Sequence, residues 1–204
     1  TKQKTHNQYL RALVFQLYEK NGVIKRNEIN NIVKLIPTEE RKKLWGMGIK
    51  IGRYHIFLPK MLKPKAVEFR ISLWKIFHNL SDKNQIPKFG LNFIINSNYE
   101  KNFLLLCGFE KFRDYFVRID ILEKLFIKIL DCSKDRKFKI NSEMMNLLGC
   151  TKENFHKLMN YMDYKKSKEE DTYIFKGDRK KVKKFIKFDK KENPFKKLLT
   201  LNIK

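Results

Sequence analysis

The first 58 residues alternate apolar stripes with short polar breaks, a pattern that predicts three helices followed by a hairpin. A helix is expected over residues 6–20, where apolar side chains recur at the spacing of one helix face. They are Leu10, Leu13, Val14, Leu17 and Tyr18. Further helices are expected at 26–36 and directly after Pro37. The stretch GMGIKIGRYHIFLP then alternates around Gly52-Arg53, which predicts a β-hairpin.

The same order of elements recurs in the second half of the chain. A strong helix is predicted at 119–132, then an extended stretch at FKIN, a helix from Ser142 to Gly149, and a third helix capped by Thr151. YKKSKEEDTYIFK predicts a strand, a polar turn and a strand. Three helices followed by a hairpin is the order of a winged helix-turn-helix, in which the turn of the hairpin is called the wing.

The expected fold class is therefore mainly α with short β-hairpins, an α+β protein built from two winged-helix-like modules. We call residues 1–58 the first module and residues 118–176 the second module. Residues 59–117 between them are expected to form a helical linker region. Its main helix is apolar on two faces, so we expect it to lie centrally with Trp74 buried. Residues 177–204 form a basic tail, which is either solvated or follows a phosphate backbone.

The net charge of the chain indicates which classes of partner it can attract. The 204 residues include 46 Lys+Arg and 22 Asp+Glu, a net charge of +24. A field of this sign attracts phosphate backbones and anionic surfaces. Abundant Lys, Asn, Ile and Phe also fit an AT-rich genome, which would raise the lysine content everywhere. The charge is uneven, however, at +8 in the first module, +3 in the second and +8 in the tail. This distribution predicts two basic zones around a nearly neutral body.

No catalytic, cofactor or metal site is predicted within the chain. It has no GxxxxGK[ST] phosphate loop, HExxH, CxxC pair or GxSxG elbow, and its four histidines are scattered. The three widely spaced cysteines are expected to be buried thiols. Arg118, Asp120 and Glu123 cluster at a helix start, where carboxylates favour the helix dipole and Glu123 could pair with Arg118. No apolar run is long enough for a transmembrane helix.

Four stretches resemble one known family. GIKIGRYHIFLPKMLKPKAVEFRISLWKIF (48–77), VRIDILEKL (117–125), MNLLGCTKENFHKLMNYMDY (145–164) and NPFKKL (193–198) occur in the order of similar stretches in the C-terminal region of alphaproteobacterial superfamily II RNA helicases. These are relatives of the mitochondrial RNA-degradation helicase. Asp163 replaces a glycine of the family pattern.

The resemblance implies a nucleic-acid-binding accessory region of an ATP-dependent RNA helicase. ATP and Mg²⁺ would bind a RecA-like core elsewhere in the parent chain, because no core motif is present here. The chain begins at Thr1 without Met, so we expect an excerpt of a longer cytoplasmic protein that binds RNA, or alternatively DNA, and no membrane. Two alternatives are a free-standing winged-helix DNA-binding protein and a protein-interaction module. The oligomeric state is not predicted.

The first module and the basic tail are the predicted nucleic-acid contacts. Basic residues crowd the third helix and the wing of the first module, whereas the second wing carries Glu169, Glu170 and Asp171, which would repel phosphate. The second module is therefore expected mainly to pack against protein. The predicted contact residues are Arg41, Lys42, Lys43, Lys50, Arg53, Lys180, Lys181, Lys183 and Lys184.

Overall fold

The structure, a computed structural model, describes residues 2–79, 86–95, 101–133, 136–162 and 164–175. In chain order the elements are α1 (Lys2–Glu19), β1 (Val23–Lys25), α2 (Arg26–Leu35), α3 (Thr38–Gly46), β2 (Lys50–Ile51), β3 (His55–Phe57), a 3-10 turn (Pro59–Leu62), α4 (Pro64–Phe77), β4 (Phe93–Ile95), α5 (Lys101–Leu106), β5 (Phe109–Phe112), β6 (Tyr115–Arg118), α6 (Ile119–Cys132), β7 (Lys137–Lys139), α7 (Ser142–Leu148), α8 (Lys152–Tyr161), β8 (Tyr164–Lys166) and β9 (Thr172–Phe175). The protein is therefore α+β. The predicted basic tail lies outside the described residues.

Three small antiparallel sheets share one strand arrangement. The strand orders are β1-β3-β2, β4-β6-β5 and β7-β9-β8, so in each sheet the last strand of the segment lies in the centre. In the first sheet, for example, Ile56 of β3 pairs with Ile24 on one side and Ile51 on the other. The middle sheet was not expected, because residues 59–117 were predicted as a helical linker. That segment contains both helices and strands.

Each sheet packs on a separate apolar cluster. In the first module, Leu13 and Leu17 of α1 meet Val33, Leu44 and Ile56. The middle cluster lies between α4, α5 and the strands that follow them, and the third lies between α6, α7, α8 and the last sheet. Residues of β4 and β6 also join the third cluster, so the middle segment and the second module share a core. This sharing fixes α6 against the middle sheet.

The predicted helix ends of the second module are confirmed by their caps. The Thr151 hydroxyl accepts a hydrogen bond from the Asn154 N–H at 3.3 Å, which satisfies one free donor of α8. Asn141 caps α7 in the same way by accepting from Met144 at 2.9 Å. Gly149 ends α7 in a left-handed conformation with φ 68°, which glycine adopts without steric cost. Local side-chain chemistry thus sets these boundaries.

The expectation of a centrally packed α4 is wrong. Of its residues only Val67, Arg70 and Ile71 are buried, and Trp74 is half-buried against Phe103, with ring centroids 6.2 Å apart. Its second apolar face is exposed, and consists of Phe69, Leu73, Ile76 and Phe77. The helix therefore packs on one side only.

The cysteines follow the prediction only in part. Cys107 is buried in the middle core, Cys150 is half-buried, and Cys132 at the end of α6 is exposed. Burial raises the pKa of the Cys107 thiol to about 12, although nearby Arg70 opposes this increase. Within the part of the chain that the structure describes, no helix has an apolar stretch long enough to cross a membrane.

Candidate nucleic-acid interface

Arg41, a predicted phosphate contact, is held by the backbone of α2. Its Nε donates to the Ile36 carbonyl at 3.0 Å and its Nη2 to the Val33 carbonyl at 2.9 Å. These bonds satisfy carbonyls left free at the end of a helix. The guanidinium therefore has a structural role, while its charge still contributes to the local field.

Lys42 and Lys43 lie on the exposed face of α3. Their ammonium groups pair with carboxylates one turn earlier, Lys42 with Glu39 at 3.2 Å and Lys43 with Glu40 at 2.8 Å. The hydrogen bond to Glu40 raises the pKa of Lys43. Exposed pairs of this kind are weak and exchange readily. Both lysines can therefore turn from their glutamates to a more highly charged phosphate backbone.

The two predicted contacts on the wing differ from each other. Lys50 is exposed on the short edge strand β2. Arg53, in the turn, places its guanidinium over two rings of the second module, at 5.9 Å from the Phe126 centroid and 5.4 Å from the Phe175 centroid. Cation–π contacts of this length hold the wing against α6 and β9. The four predicted tail lysines, Lys180, Lys181, Lys183 and Lys184, lie outside the described residues.

A groove of about 810 Å³ runs between the first module and α6. We call it the α3–α6 groove. Five cationic side chains line it, and they come from α2, α3, β2, the wing and α6. They are Arg26, Arg41, Lys50, Arg53 and Lys124. The groove therefore brings together three predicted contacts with two that were not predicted.

The guanidinium groups that line the groove lie close enough to repel one another, so positive charge is concentrated there. Arg26 donates to the Gly52 carbonyl at 2.7 Å, which fixes it at the wing. Burial lowers the pKa of Arg26, and the charges of Arg53 and Arg41 lower it further. The nearby Glu123 carboxylate raises this pKa and offsets part of the repulsion, but five cations against two carboxylates leave the groove net positive. The arrangement is thus suited to a bound anionic group.

The two carboxylates that line the groove are already engaged. Asp120 accepts from Arg118 Nε at 2.7 Å and from its Nη2 at 2.6 Å. Burial alone would raise the pKa of Asp120, but the hydrogen bonds to Arg118 lower it below its usual value. The predicted Arg118–Glu123 pair is replaced by this one. The charge of Asp120 is thus compensated by Arg118, while Glu123 keeps its charge and acts on Arg26 within the groove.

Glu123 instead anchors the wing of the first module to α6. Its carboxylate accepts three backbone hydrogen bonds, from Arg53 at 2.6 Å, Tyr54 at 2.8 Å and His55 at 2.8 Å. Gly52 permits this approach, because a Cβ there would collide with the carboxyl group. The wing of the first module is thus fixed to α6 by an acceptor 70 residues away.

Adjacent to Glu123, a buried charge network links all three segments. His55, 2% exposed, places its Nε2 2.9 Å from Glu110 of β5 and its Nδ1 3.6 Å from Glu123. Lys25 of β1 pairs with Glu110 at 2.5 Å. Burial lowers the pKa of His55, but the hydrogen bond with Glu110 and the proximity of both carboxylates outweigh it and raise the pKa overall. The network therefore favours a charged imidazole.

Aromatic rings complete the α3–α6 groove. Trp45 lines it and is 72% exposed, while its neighbour Leu44 on the same helix is 0% exposed in the core. Phe126 lies on the opposite side, on α6. A second cavity of about 740 Å³, beside α1 and α4, differs in charge because it contains the carboxylates of Glu19, Glu28 and Glu110. The groove is thus the better anion site.

Several lysines of the second module are paired with acidic residues. Lys152 contacts Asp171 at 2.5 Å, Lys157 contacts Glu153 at 2.5 Å and Lys128 contacts Glu143 at 2.6 Å. Asp171 also lies 3.3 Å from the His156 ring. Around these lysines the positive charge is therefore balanced locally, because each has an acidic side chain next to it.

Comparison of the chain with models of protein families, with curated proteins and with solved structures finds no match. Among the residues that the structure describes, no group of three His, Cys, Asp or Glu side chains is placed to hold a metal ion. The geometry of the site and the sequence resemblance are therefore the features that bear on function.

Sequence reasoning missed three lining residues of the groove. Trp45 was expected only to belong to the same short helix as Leu44, but adjacent residues of a helix point about 100° apart, so a buried Leu44 places Trp45 on another face. Lys124 follows the buried Glu123 on α6, so only the contact with the wing brings it into the site. Arg26 opens α2 next to a strand that was not predicted. Helix periodicity could have identified Trp45; nothing local identifies the other two.

Proposed function

We propose that this chain is a nucleic-acid-binding accessory region of an ATP-dependent RNA helicase, with RNA backbone as its ligand. ATP and Mg²⁺ belong, in this proposal, to a RecA-like core of the parent protein. The resemblance of four ordered stretches to such helicases supports it. The α3–α6 groove supports it independently, because five cations line the groove against two carboxylates, one of which is paired with Arg118.

The proposal includes a winged-helix arrangement for both modules. A helix, a strand, two helices and two strands follow in that order, with the last strand central in the sheet. In such an arrangement the third helix and the wing face the nucleic acid together. Here α3 carries Lys42 and Lys43, and Lys50 stands next to the wing. These three lysines would contact phosphates, while Arg41 and Arg53 would fix the surface that presents them.

The observation that carries the proposal is the contrast between the two modules. Four cations of the first module line one groove, whereas the second module adds only Lys124 to it and pairs three other lysines with neighbouring acids. A composition bias toward lysine would not distinguish the two. Phosphate binding needs local positive potential rather than net charge. The first module supplies most of that potential, and the second contributes Lys124.

The test compares two triple variants that remove the same charge. Lys42→Gln, Lys43→Gln and Lys50→Gln change the proposed contacts, and Lys165→Gln, Lys166→Gln and Lys168→Gln are the control on the second wing. All six lysines are exposed, so both variants should fold. Binding to labelled single-stranded RNA is measured by anisotropy over a range of salt concentrations.

The first variant should bind more weakly, and its log–log salt slope should fall by up to about 2, since each phosphate contact contributes about 0.7 on single strands. The control should change little. Equal losses would mean that the charge acts as a diffuse cloud, and a larger loss in the control would refute the assignment. DNA of the same sequence distinguishes an RNA-binding region from the alternative winged-helix DNA-binding protein.

The exposed apolar face of α4 favours a second candidate, a protein-interaction module. Its four side chains, Phe69, Leu73, Ile76 and Phe77, follow helical spacing on one side of the helix. Contiguous exposed apolar surface is typical of interaction sites. Absence of nucleic-acid binding by the unmodified chain at low salt would favour this candidate over the helicase accessory region.

A further inference from the structure

Trp45 occupies an unusual position for the largest apolar side chain. It lies in the last turn of α3 with 72% of its surface exposed, although the core is directly beside it at Leu44. An exposed indole costs hydration free energy that burial would recover. Exposed aromatic rings within a basic groove are what single-strand-binding proteins use to stack bases.

Cationic side chains surround Trp45 and can bind the phosphates on either side of a base stacked on its indole. Arg41, one turn earlier on α3, lies on the same wall of the groove, and Lys50 follows on β2. Lys124 and Phe126 form the facing wall on α6. A nucleotide has a planar apolar base and an anionic phosphate, and the groove offers a ring and ammonium groups for these two parts.

The geometry discriminates between single strands and duplexes. In a duplex each base is stacked on its neighbours and its face is closed to a protein ring. Only an unpaired base can place its face on Trp45. An acidic protein segment would use the cations but would leave the indole exposed. The indole therefore favours nucleic acid over an acidic peptide.

We infer that the α3–α6 groove binds single-stranded nucleic acid, with one base stacked on Trp45 and the adjoining phosphates held by Lys50 and Lys124. This inference rests on the proposed function, which requires only backbone contacts. It adds a preference for unpaired strands and assigns that preference to one side chain. It also assigns a binding role to α6, whose module was expected mainly to pack against protein.

The first experiment compares a single-stranded oligouridine with a duplex RNA of the same length. Trp45→Ala should weaken single-strand binding by about 5- to 150-fold, the range for removal of one stacked base, while duplex binding stays unchanged. The salt slope should also stay unchanged, because no charge is removed. Trp45→Phe should restore most of the affinity. Tyr18→Ala is the control, since Tyr18 is an equally exposed ring on α1 outside the groove.

Lys50→Gln with Lys124→Gln should behave differently. This pair should weaken binding with a salt slope reduced by about 1.4, two contacts at about 0.7 each. Lys165→Gln with Lys166→Gln is the matched control. If Trp45→Ala binds single strands as well as the unmodified chain, or loses duplex binding equally, stacking on Trp45 is refuted while backbone binding stands. If the unmodified chain binds neither RNA, the proposed function fails and the inference fails with it.

A spectroscopic test reports the stacking directly. The chain has two tryptophans, so Trp74→Phe leaves Trp45 as the single emitter. Oligouridine should quench its fluorescence, because a stacked base contacts the indole face. An abasic oligonucleotide of equal length should bind through its phosphates without quenching. A polyglutamate competitor or an abasic strand that quenches as strongly as oligouridine would overturn the stacking assignment.

Discussion

Replacing Glu123 should be the most destabilising single change at the candidate site. Its carboxylate accepts three backbone N–H groups of the wing, of which that of His55 is buried and those of Arg53 and Tyr54 are partly buried. A buried donor left without a partner costs about 1–3 kcal/mol. Counting about 2 kcal/mol for His55 and about 1 kcal/mol for each of the others gives about 4 kcal/mol for Glu123→Ala.

The assay is urea denaturation, with the free energy of unfolding taken from the midpoint and slope. Glu123→Gln should cost less, about 1–2 kcal/mol, because its amide oxygen can still accept from Tyr54 and His55 while its amide group opposes Arg53. Glu143→Ala is the control, because that carboxylate makes an equally short bond at an exposed site. Its midpoint should not move. A loss below about 1 kcal/mol for Glu123→Ala would refute the view that this acceptor holds the wing.

Gly52 provides an independent check on the same contact. A Cβ at this position would collide with the Glu123 carboxyl, so Gly52→Ala should displace the acceptor and lose part of the same free energy. In the Glu123→Ala background the substitution should cost much less, because the obstacle has gone. Double-mutant cycles measure this coupling, and additive losses would contradict it.

Two further predictions concern titration and thiol chemistry. The pKa of His55 is raised by Glu110 and Glu123 against the effect of burial, and that of Glu110 is lowered by His55 and Lys25, again against burial. The stability that charged His55 contributes should therefore be lost as pH rises through the raised folded-state pKa of His55. The stability that ionised Glu110 contributes should be lost as pH falls through the lowered pKa of Glu110. A free energy of unfolding that does not change above about pH 6.5 would contradict the His55 effect. Exposed Cys132 should react with a thiol reagent well before Cys107, whose thiol pKa is about 12, and mass mapping that finds Cys107 modified first would show that the middle core opens readily.

The helices were largely predictable because their signals are local. Apolar periodicity identified α1, α2 and α6, and the caps at Thr151 and Gly149 placed the ends of α7 and α8. The strand β1 was missed, since three residues between a glycine and a helix show no alternation. Its pairing with β3 is a tertiary contact. The same reason explains the middle sheet, whose strands are three or four residues long.

The candidate site was predictable only in part. The cations of α3 and the wing stand out in the sequence, but their partners do not. Arg41 donates hydrogen bonds to carbonyls at the end of the preceding helix, and Arg53 lies over rings more than 70 positions away. Glu123 accepts hydrogen bonds from the wing and does not pair with Arg118. The sequence shows that charge is present, whereas only the folded chain shows whether that charge is already in use.

During synthesis the wing emerges well before Glu123, the residue that accepts its N–H groups. Glu123 follows Arg53 by 70 residues, and chains are made at about 5–20 residues per second. The wing is therefore complete about 4–14 s before its acceptor exists. During that interval its three N–H groups lack this acceptor, the Arg53 guanidinium has no ring to cover it, and the hairpin is held by β1, Arg26 and the core of the first module. A nascent first module thus exposes its basic wing before the α3–α6 groove exists.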